Sequence, residues 1–317
     1  MKIACIGEAM VEVALTGPNG AAKVGFAGDV LNTAIYLRRA LPAPHEVAFV
    51  SMIGLDSLSD QMAAFIAAEG ISTAHLARHP TLVPGLYTIA TDAAGERSFT
   101  YWRDTSAARQ MFADPAALLP LLDFDLVYLS AITLAVLPDP ARDALFAVLA
   151  QVRAKGGRVA FDSNHRPRLW PDLATAQRVV KQAWRGCDVG LPSLDDEMAL
   201  FGDTDAVQVQ ARLMGWGVAQ GVLKRGALGP VALGQNWGED AAFDRAPTVV
   251  DTTAAGDSFN GGYLGALVTG AAPLAAARAG HTFARAVVQQ RGAIVPKAEW
   301  STALQASAGG MGRQITP

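Results

Sequence analysis

Cysteine is scarce in this chain: Cys5 and Cys187 are the only two among 317 residues, and they lie far apart. That number excludes a disulfide framework, and their place at apparent strand starts predicts buried thiols in a reducing compartment. A long apolar run is also missing. The longest apolar-looking region, Ala117 to Leu137, is interrupted by Pro120, Asp123 and Asp125. What remains is shorter than the roughly 20 residues of a membrane-spanning helix. Neither sign of charge dominates, with a formal net charge of −3 and a pI near 6.0. Nothing electrostatic therefore draws the chain to nucleic acid or to a membrane surface. The opening Met1-Lys2-Ile3-Ala4-Cys5-Ile6-Gly7 leads straight into a strand, without the apolar region and cleavage site of a secretory signal. The expectation is a cytoplasmic protein that binds neither nucleic acid nor membrane.

Several common sites are absent too. No G-x-x-x-x-G-K-[ST] occurs, which argues against a P-loop kinase. The first strand leads into Gly7-Glu8-Ala9-Met10 and not G-x-G-x-x-G, which argues against a dinucleotide-binding oxidoreductase. His75 and His79 are four apart but form no H-E-x-x-H, and the segment Ile71–Leu76 reads as a strand, so a metal pair is not expected there. The six tryptophans are scattered and are assigned to packing or surface cover.

The chain does contain a strand–helix alternation. Apolar runs of strand length stand at Ile3–Ile6, Val47–Ile53, Leu126–Ile132, Val159–Phe161, Val189–Leu191, Val218–Leu223 and Val231–Leu233. Helical patterns separate them, among them Val30–Ala40, Ser59–Glu69, Asp139–Lys155, Leu173–Trp184 and Leu194–Phe201. Short, continuously apolar strands between helices predict an α/β fold with a mostly parallel sheet covered on both faces. Ligands in such sheets bind beyond the carboxyl ends of the strands. Two segments break the rhythm, about 11–27 and 85–103, with turn signals at Thr16-Gly17-Pro18-Asn19-Gly20 and Asp92-Ala93-Ala94-Gly95-Glu96. Thr88–Thr91 and Arg97–Tyr101 read as a β-hairpin, and the two segments together predict a small antiparallel sheet over the strand ends. The Ala-rich tail from Ala303 to Pro317 is expected to fray.

The most informative string is Asp251-Thr252-Thr253-Ala254-Ala255-Gly256-Asp257-Ser258-Phe259-Asn260-Gly261-Gly262. It reads as a small-residue turn opening a helix, with a carboxylate in the first turn. Thr252 and Thr253 supply capping oxygens. The amides of Ala254, Ala255, Gly256 and Asp257 are expected to be free, because a helix start leaves its first N–H groups unpaired. Free donors at the positive helix end bind anions such as phosphate. Asp257 adds a base for a hydroxyl proton, so the string offers both halves of phosphoryl transfer to an alcohol.

This string resembles the DTxGAGD motif of the ribokinase-like (PfkB) family of sugar kinases, with Ala254 in place of a glycine. Other landmarks follow the family's order over nearly the whole length. Gly28-Asp29-Val30-Leu31-Asn32 resembles its GGDxxN pattern, with Ala27 for the first glycine, although Asp29 as a plain N-cap fits equally. Lys224-Arg225-Gly226-Ala227-Leu228-Gly229 resembles its KxGxxG turn beside ATP. Leu191-Pro192-Ser193-Leu194-Asp195-Asp196-Glu197 departs from its NxxE loop, placing Ser193 at the Asn position; Ser193 reads as a helix cap and a nucleotide contact together.

The resemblance implies a single ribokinase-like domain over 1–317, a doubly wound body with a β lid, and ATP and Mg²⁺ as cofactors. Asp257 would be the base and the amides of Ala254, Ala255 and Gly256 would hold the transferring phosphoryl group. Ser193, Lys224, Gly226, Gly229 and Gly256 would bind ATP, and Asp196 or Glu197 would serve magnesium through water. The segments Gly85–Tyr87, Arg97–Ala108 and Phe161–Trp170 look like those of the subfamily acting on the sugar acid 2-keto-3-deoxygluconate. That likeness places Gly28, Asp29, Asn32, Tyr87, Tyr101, Arg103, Arg166 and Asp257 on the substrate. Tyr101 and Arg103, two apart on a strand, face one side, and arginine's planar fork suits a carboxylate; arginines serving only lid salt bridges are the plainer alternative. A kinase of fructose, ribose or another aldonic acid remains the alternative within the class, and a binding regulator without turnover outside it. Exposed lid strands suggest a homodimer or higher homo-oligomer, since sheet edges tend to find partners.

Overall fold

A computed structural model of the chain describes residues 1–16, 20–91, 97–234, 237 and 241–308. Its first elements are β1 (Lys2–Ile6), β2 (Met10–Leu15), β3 (Ala22–Ala27), α1 (Asp29–Ala40), β4 (Glu46–Ile53), α2 (Ser57–Ala68) and β5 (Leu76–Arg78). The chain continues with β6 (Gly85–Thr91), β7 (Arg97–Trp102), β8 (Leu126–Ser130), α3 (Ala131–Val136), α4 (Asp139–Ala154) and β9 (Arg158–Asp162). Then come α5 (Leu173–Gly186), β10 (Val189–Gly190), α6 (Leu194–Phe201), α7 (Ala206–Gly215), β11 (Gly221–Leu223) and β12 (Val231–Leu233). Three helices close the described chain: α8 (Ala255–Val268), α9 (Pro273–Val288) and α10 (Lys297–Ala308).

Eight strands form one sheet in the order β12-β11-β10-β9-β8-β1-β4-β5. Every adjacent pair is parallel except β11 with β12. The central strands are mostly apolar and buried, as in β8 with all five residues buried, because helices cover both faces. The core is split accordingly. One cluster carries Ile6, Val127, Leu129 and Phe161 with α4 and α5; the other carries Ile3, Cys5, Val47 and Phe49 with α1, α2 and α8. The chain runs from β1 outward to β4 and β5, then returns to β8 and continues the other way, so the strand order reverses beside β1. A crevice opens at such a switch point, beyond the carboxyl ends of the strands.

A second sheet has the order β3-β2-β6-β7. It is assembled from the two segments that break the strand–helix rhythm. β6 and β7 form the expected hairpin, with Tyr87 opposite Tyr101, whereas β2 and β6 pair parallel, so the sheet is mixed and not wholly antiparallel. The turn signals at residues 17–19 and 92–96 lie outside the described residues.

Further sequence expectations need correction. The run Leu126–Ile132 is a strand only to Ser130; there a capping box with Thr133 starts α3 and turns Ile132 into a helical residue. Val218–Leu223 is a strand only from Gly221, since Val218 serves as a core contact beneath Gly190. Ile71–Leu76 contributes a single bridge at Ser72, and the strand β5 begins at Leu76. The tail does not fray from Ala303: α10 runs to Ala308, held by buried Trp300 and by Arg285, which donates to the Ser307 carbonyl at 3.0 Å. Residues 309–317 lie outside the described residues. Both thiols are buried as expected, though Cys187 ends α5 instead of starting a strand.

Candidate active site

The first turn of α8 lies at the crevice. Ala254 occupies its N-cap with φ 60°, in the left-handed region. Such a conformation costs an L-residue roughly 1–2 kcal/mol, so the alanine adopts, under strain, a turn that glycine adopts freely. No side chain caps the helix. Contrary to the expected capping role, Thr253 donates its hydroxyl to Asp251 at 2.7 Å. The carboxylate of Asp251 also accepts from the amides of Thr253 and Gly292 and so staples the turn. The amide of Ala255 is not free, because it donates to the Thr252 carbonyl at 3.2 Å. Those of Ala254, Gly256 and Asp257 have no partner among the described residues. Three unpaired donors at a helix start make an anion pocket.

Asp257 stands in that turn and accepts from Asn32 Nδ2 on α1 at 2.9 Å. Burial, followed by the negative charge of Asp29, pushes its pKa up to about 8, against the hydrogen bond from Asn32. Asp29 accepts from Ser130 Oγ at 2.5 Å and from Asn164 Nδ2 at 2.8 Å. Burial likewise raises its pKa. It occupies the first position of α1, and Gly28 is the N-cap residue. A Cβ on Gly28 would lie 2.3 Å from the Glu8 carbonyl oxygen, so a side chain does not fit there. The glycine is required by the approach of its own chain.

The two arginines expected at a substrate carboxylate each have a protein partner. Arg103 pairs with Glu8, which also accepts from Ser106 at 2.5 Å. The Arg103 Nε is buried without a partner. Arg103 lies over the Tyr101 ring at 6.0 Å, so the two share a face as their spacing requires. Tyr101 stacks on Tyr87 at 5.6 Å, and the Tyr87 hydroxyl donates to Glu12. Tyr87 packs in one cluster with Ala293 and Ala254, which brings this face of the small sheet to the first turn of α8. Arg166 is half-exposed, donates to the neighbouring His165 carbonyl and sits 3.6 Å from Asp196.

The nucleotide-side residues divide. Asp196 faces the strand ends, where burial raises its pKa to about 6 despite Arg166. Glu197 turns inward: it is wholly buried, pairs with Arg212 at 2.9 Å and accepts from Trp184 Nε1 at 3.1 Å. One step along a helix is about 100°, which separates the two acids. Glu197 is thus excluded from a magnesium role. Ser193 begins α6 but makes no capping bond with its side chain. Gly226 and Gly229 both have positive φ, at 53° and 74°; a Cβ on Gly226 would meet open space, whereas one on Gly229 would lie 2.7 Å from Phe243. Lys224 does not reach outward. Its buried ammonium donates to Asp162 at 2.9 Å and to Asn260 at 3.1 Å.

Sequence reasoning missed Glu8, Ser130, Asp162, Asn164 and Asn260 as members of this site. The available signal was position: Glu8, Ser130, Asp162 and Asn164 each end or follow an apolar strand, where βα loops gather. Asn260 lies three residues after Asp257, on the same helix face. Among the described residues no group of three His, Cys, Asp or Glu side chains is arranged to hold a metal ion, and no helix is long and apolar enough to cross a membrane.

A left-handed turn feeding an uncapped helix, with an acid among its free amides at the switch point of a mostly parallel sheet, is an arrangement for transferring a phosphoryl group. Comparison with known proteins agrees. The pfkB family carbohydrate kinase model matches residues 1–300, and the chain belongs to that family. It is 42% identical over 303 residues to the 2-dehydro-3-deoxygluconokinase of Escherichia coli K12, covering 93% of this chain and 97% of that one. Among solved structures, a PfkB protein from Polaromonas sp. JS666 superposes with a TM-score of 0.79 at 27% identity, covering 95% of this chain and 99% of that one. A fructokinase with bound ATP from Xylella fastidiosa shares the fold, with a TM-score of 0.78 at 22% identity, covering 97% of this chain and 99% of that one.

Proposed function

We propose that the protein transfers the γ-phosphoryl group of ATP to the primary hydroxyl of 2-keto-3-deoxygluconate, giving its 6-phosphate. The observation that carries this reading is Asp257 set among the unpaired amides of Ala254, Gly256 and Asp257 itself. Asp257 takes the hydroxyl proton, and the amides stabilise the charge on the phosphoryl group in flight. That transition state is loose, so position and electrostatics dominate, with the base contributing about 10²–10⁴-fold. Asn32 and Asp29 hold sugar hydroxyls beside the base. Gly226 and Gly229 carry the nucleotide-side turn, and the small sheet acts as a lid that excludes water.

Magnesium fits the donor set in one way only. With no cluster of three ligands among the described residues, the ion would be held chiefly by the nucleotide phosphates, with Asp196 reaching it through water. When bound, it neutralises phosphate charge. The exposed aromatic edge at Phe99, Tyr101 and Trp102 supports a homo-oligomer built through the lid. The reducing environment implied by two buried thiols supports a cytoplasmic location.

The acid substrate is supported by the relatives' names and by Arg103, whose buried Nε lacks a partner. A second reading, a neutral hexose such as fructose, is favoured by one observation: Glu8 and Asp196 already balance the charges of Arg103 and Arg166. An ADP-release assay over 2-keto-3-deoxygluconate, other aldonic acids, fructose and ribose decides. The highest kcat/KM is expected for 2-keto-3-deoxygluconate; a higher value for fructose would return the assignment to the second reading. ADP release with none of them would support the regulator.

A further inference from the structure

Lys224 ends at the centre of a buried polar network that ties the sheet to α8. It follows β11 directly and is 8% exposed. Its ammonium donates to Asp162, the last residue of β9, and to Asn260 on α8. Asn260 in turn donates through Nδ2 to the same Asp162 oxygen at 2.6 Å and to the Tyr128 hydroxyl at 3.1 Å. Thr33 on α1 completes the set by donating to Tyr128 at 3.2 Å. Strand β9 and helix α8 therefore meet at one cation, and β8 and α1 join the network through Tyr128. The same ammonium lies 3.5 Å from where Gly256 would carry a Cβ, directly behind the first turn of α8. An ammonium has three donors. Two are used, and the third has no partner among the described residues.

Charge balance gives this placement a purpose. Asp257 is faced by Asp29 and Asn32 from α1, by Asp162 from β9 and by Lys224 from the loop after β11. Lys224 is thus a cation set among Asp257, Asp29 and Asp162, with the Arg166–Asp196 pair beside Asp162. Within a poorly solvated site, such a charge acts strongly on its neighbours.

We propose that Lys224 is a positioning residue for phosphoryl transfer and not a nucleotide contact: through Asp162 and Asn260 it fixes the first turn of α8, and its charge keeps Asp257 ready to accept a proton. The inference rests on the kinase reading above but not on the identity of the sugar. Its test therefore uses whichever sugar or sugar acid the wild-type protein phosphorylates best, so a wrong substrate assignment leaves it intact.

The variants are Lys224→Met and the double variant Lys224→Met with Asp162→Asn. In the single variant kcat is expected to fall about 10- to 100-fold, the usual range for a charged hydrogen-bonded group. KM for ATP should change by less than about threefold, since a group that acts only on the transition state leaves ground-state binding alone. The acid limb of the kcat–pH profile should move to higher pH, because Asp29 and Asp162 then face Asp257 without a counter-charge. The second substitution removes the stranded charge of Asp162, so the limb should return toward its wild-type position and part of kcat should recover. A raised KM for ATP with kcat intact would overturn the proposal in favour of a nucleotide contact. A fall in kcat with an unmoved acid limb would reduce Lys224 to a structural ion pair. Should the single variant not fold, as a broken buried ion pair can cause, the double variant carries the test. It is then compared with Asp162→Asn alone: an acid limb at higher pH than in Asp162→Asn, with KM for ATP near normal, supports the proposal, and coincident limbs or a raised KM overturn it.

Discussion

Asn32 donates from Nδ2 to Oδ2 of Asp257 across 2.9 Å, joining residues 225 positions apart. The bond exists because α1 and α8 lie against each other with no room for side chains between them. A Cβ on Gly261 would stand 2.6 Å from that of Tyr36, and one on Gly265 would stand 2.4 Å from that of Ala40. Close helix contact thus delivers the base to the sugar-side acid and amide.

Asp257→Asn should reduce kcat at least tenfold, within the roughly 10²–10⁴ range of a general base, while leaving sugar and ATP affinity nearly unchanged. Asparagine keeps the shape and the bond to Asn32 but takes no proton at neutral pH. Steady-state kinetics with calorimetric binding would check this. A variant keeping more than about a tenth of wild-type kcat would remove Asp257 from that role.

The raised pKa of Asp257 sets a pH dependence with two signs. The base must be ionised, so kcat should climb as pH rises toward about 8 and level off above it. Stability runs the other way. The unfolded carboxyl titrates near roughly 3.9 and the folded one near about 8, so the folded state holds the proton more tightly. The associated stability is complete below the unfolded value and is lost as pH rises through the folded one. Asp29 shifts in the same direction, and the two acids titrate as a pair. Urea midpoints at pH 6 and pH 8 should show the protein weaker at pH 8, with a smaller difference in Asp257→Asn. Equal differences in both proteins would contradict the assigned shift.

Arg103→Ala should raise KM for the sugar acid about ten- to a hundredfold if a charged hydrogen bond of about 1.5–3 kcal/mol is lost. The turnover of fructose as a neutral analogue should change far less. Removing Arg103 also strands buried Glu8, so Arg103→Ala with Glu8→Gln is the cleaner comparison. Equal losses on both sugars would show general damage to the lid and sink carboxylate recognition by this residue. The same comparison applied to Arg166→Ala tests the half-exposed arginine independently.

Ala254→Gly should stabilise the protein by about 1 kcal/mol, because the alanine holds a left-handed conformation that glycine adopts without steric cost. The urea midpoint should rise with an unchanged slope. A lower midpoint would mean that the methyl group's packing beside Tyr87 and Ala293 outweighs the backbone strain.

Periodicity and composition were enough to expect the parallel α/β body, the β6–β7 hairpin and the Asp251–Gly262 turn, because each depends on neighbours in sequence. Short apolar strands need cover on both faces, and a glycine–aspartate pair after threonines needs a helix start. Helix α6 from Leu194 to Phe201 was legible to the residue. Boundaries were less so: Ile132 is as apolar as any strand residue, and only the Ser130–Thr133 capping box makes it helical.

What the linear pattern determined by itself was the kind of chemistry, since free amides and an acid within one helical turn are a local matter. Partnership was decided only by the tertiary structure. Asp196 and Glu197 are equivalent acids in the sequence, but the rotation of α6 points one to the strand ends and seals the other against Arg212. Lys224 fits a nucleotide turn by its spacing, but β9 and α8 converge on it and draw its ammonium inward to Asp162 and Asn260. Gly28 reads as a substrate contact in the sequence, and only the fold shows that the return of the chain at Glu8 also demands a glycine there. In each case the deciding contact spans elements distant in sequence, where burial and charge pairing, not local pattern, set which way a side chain points.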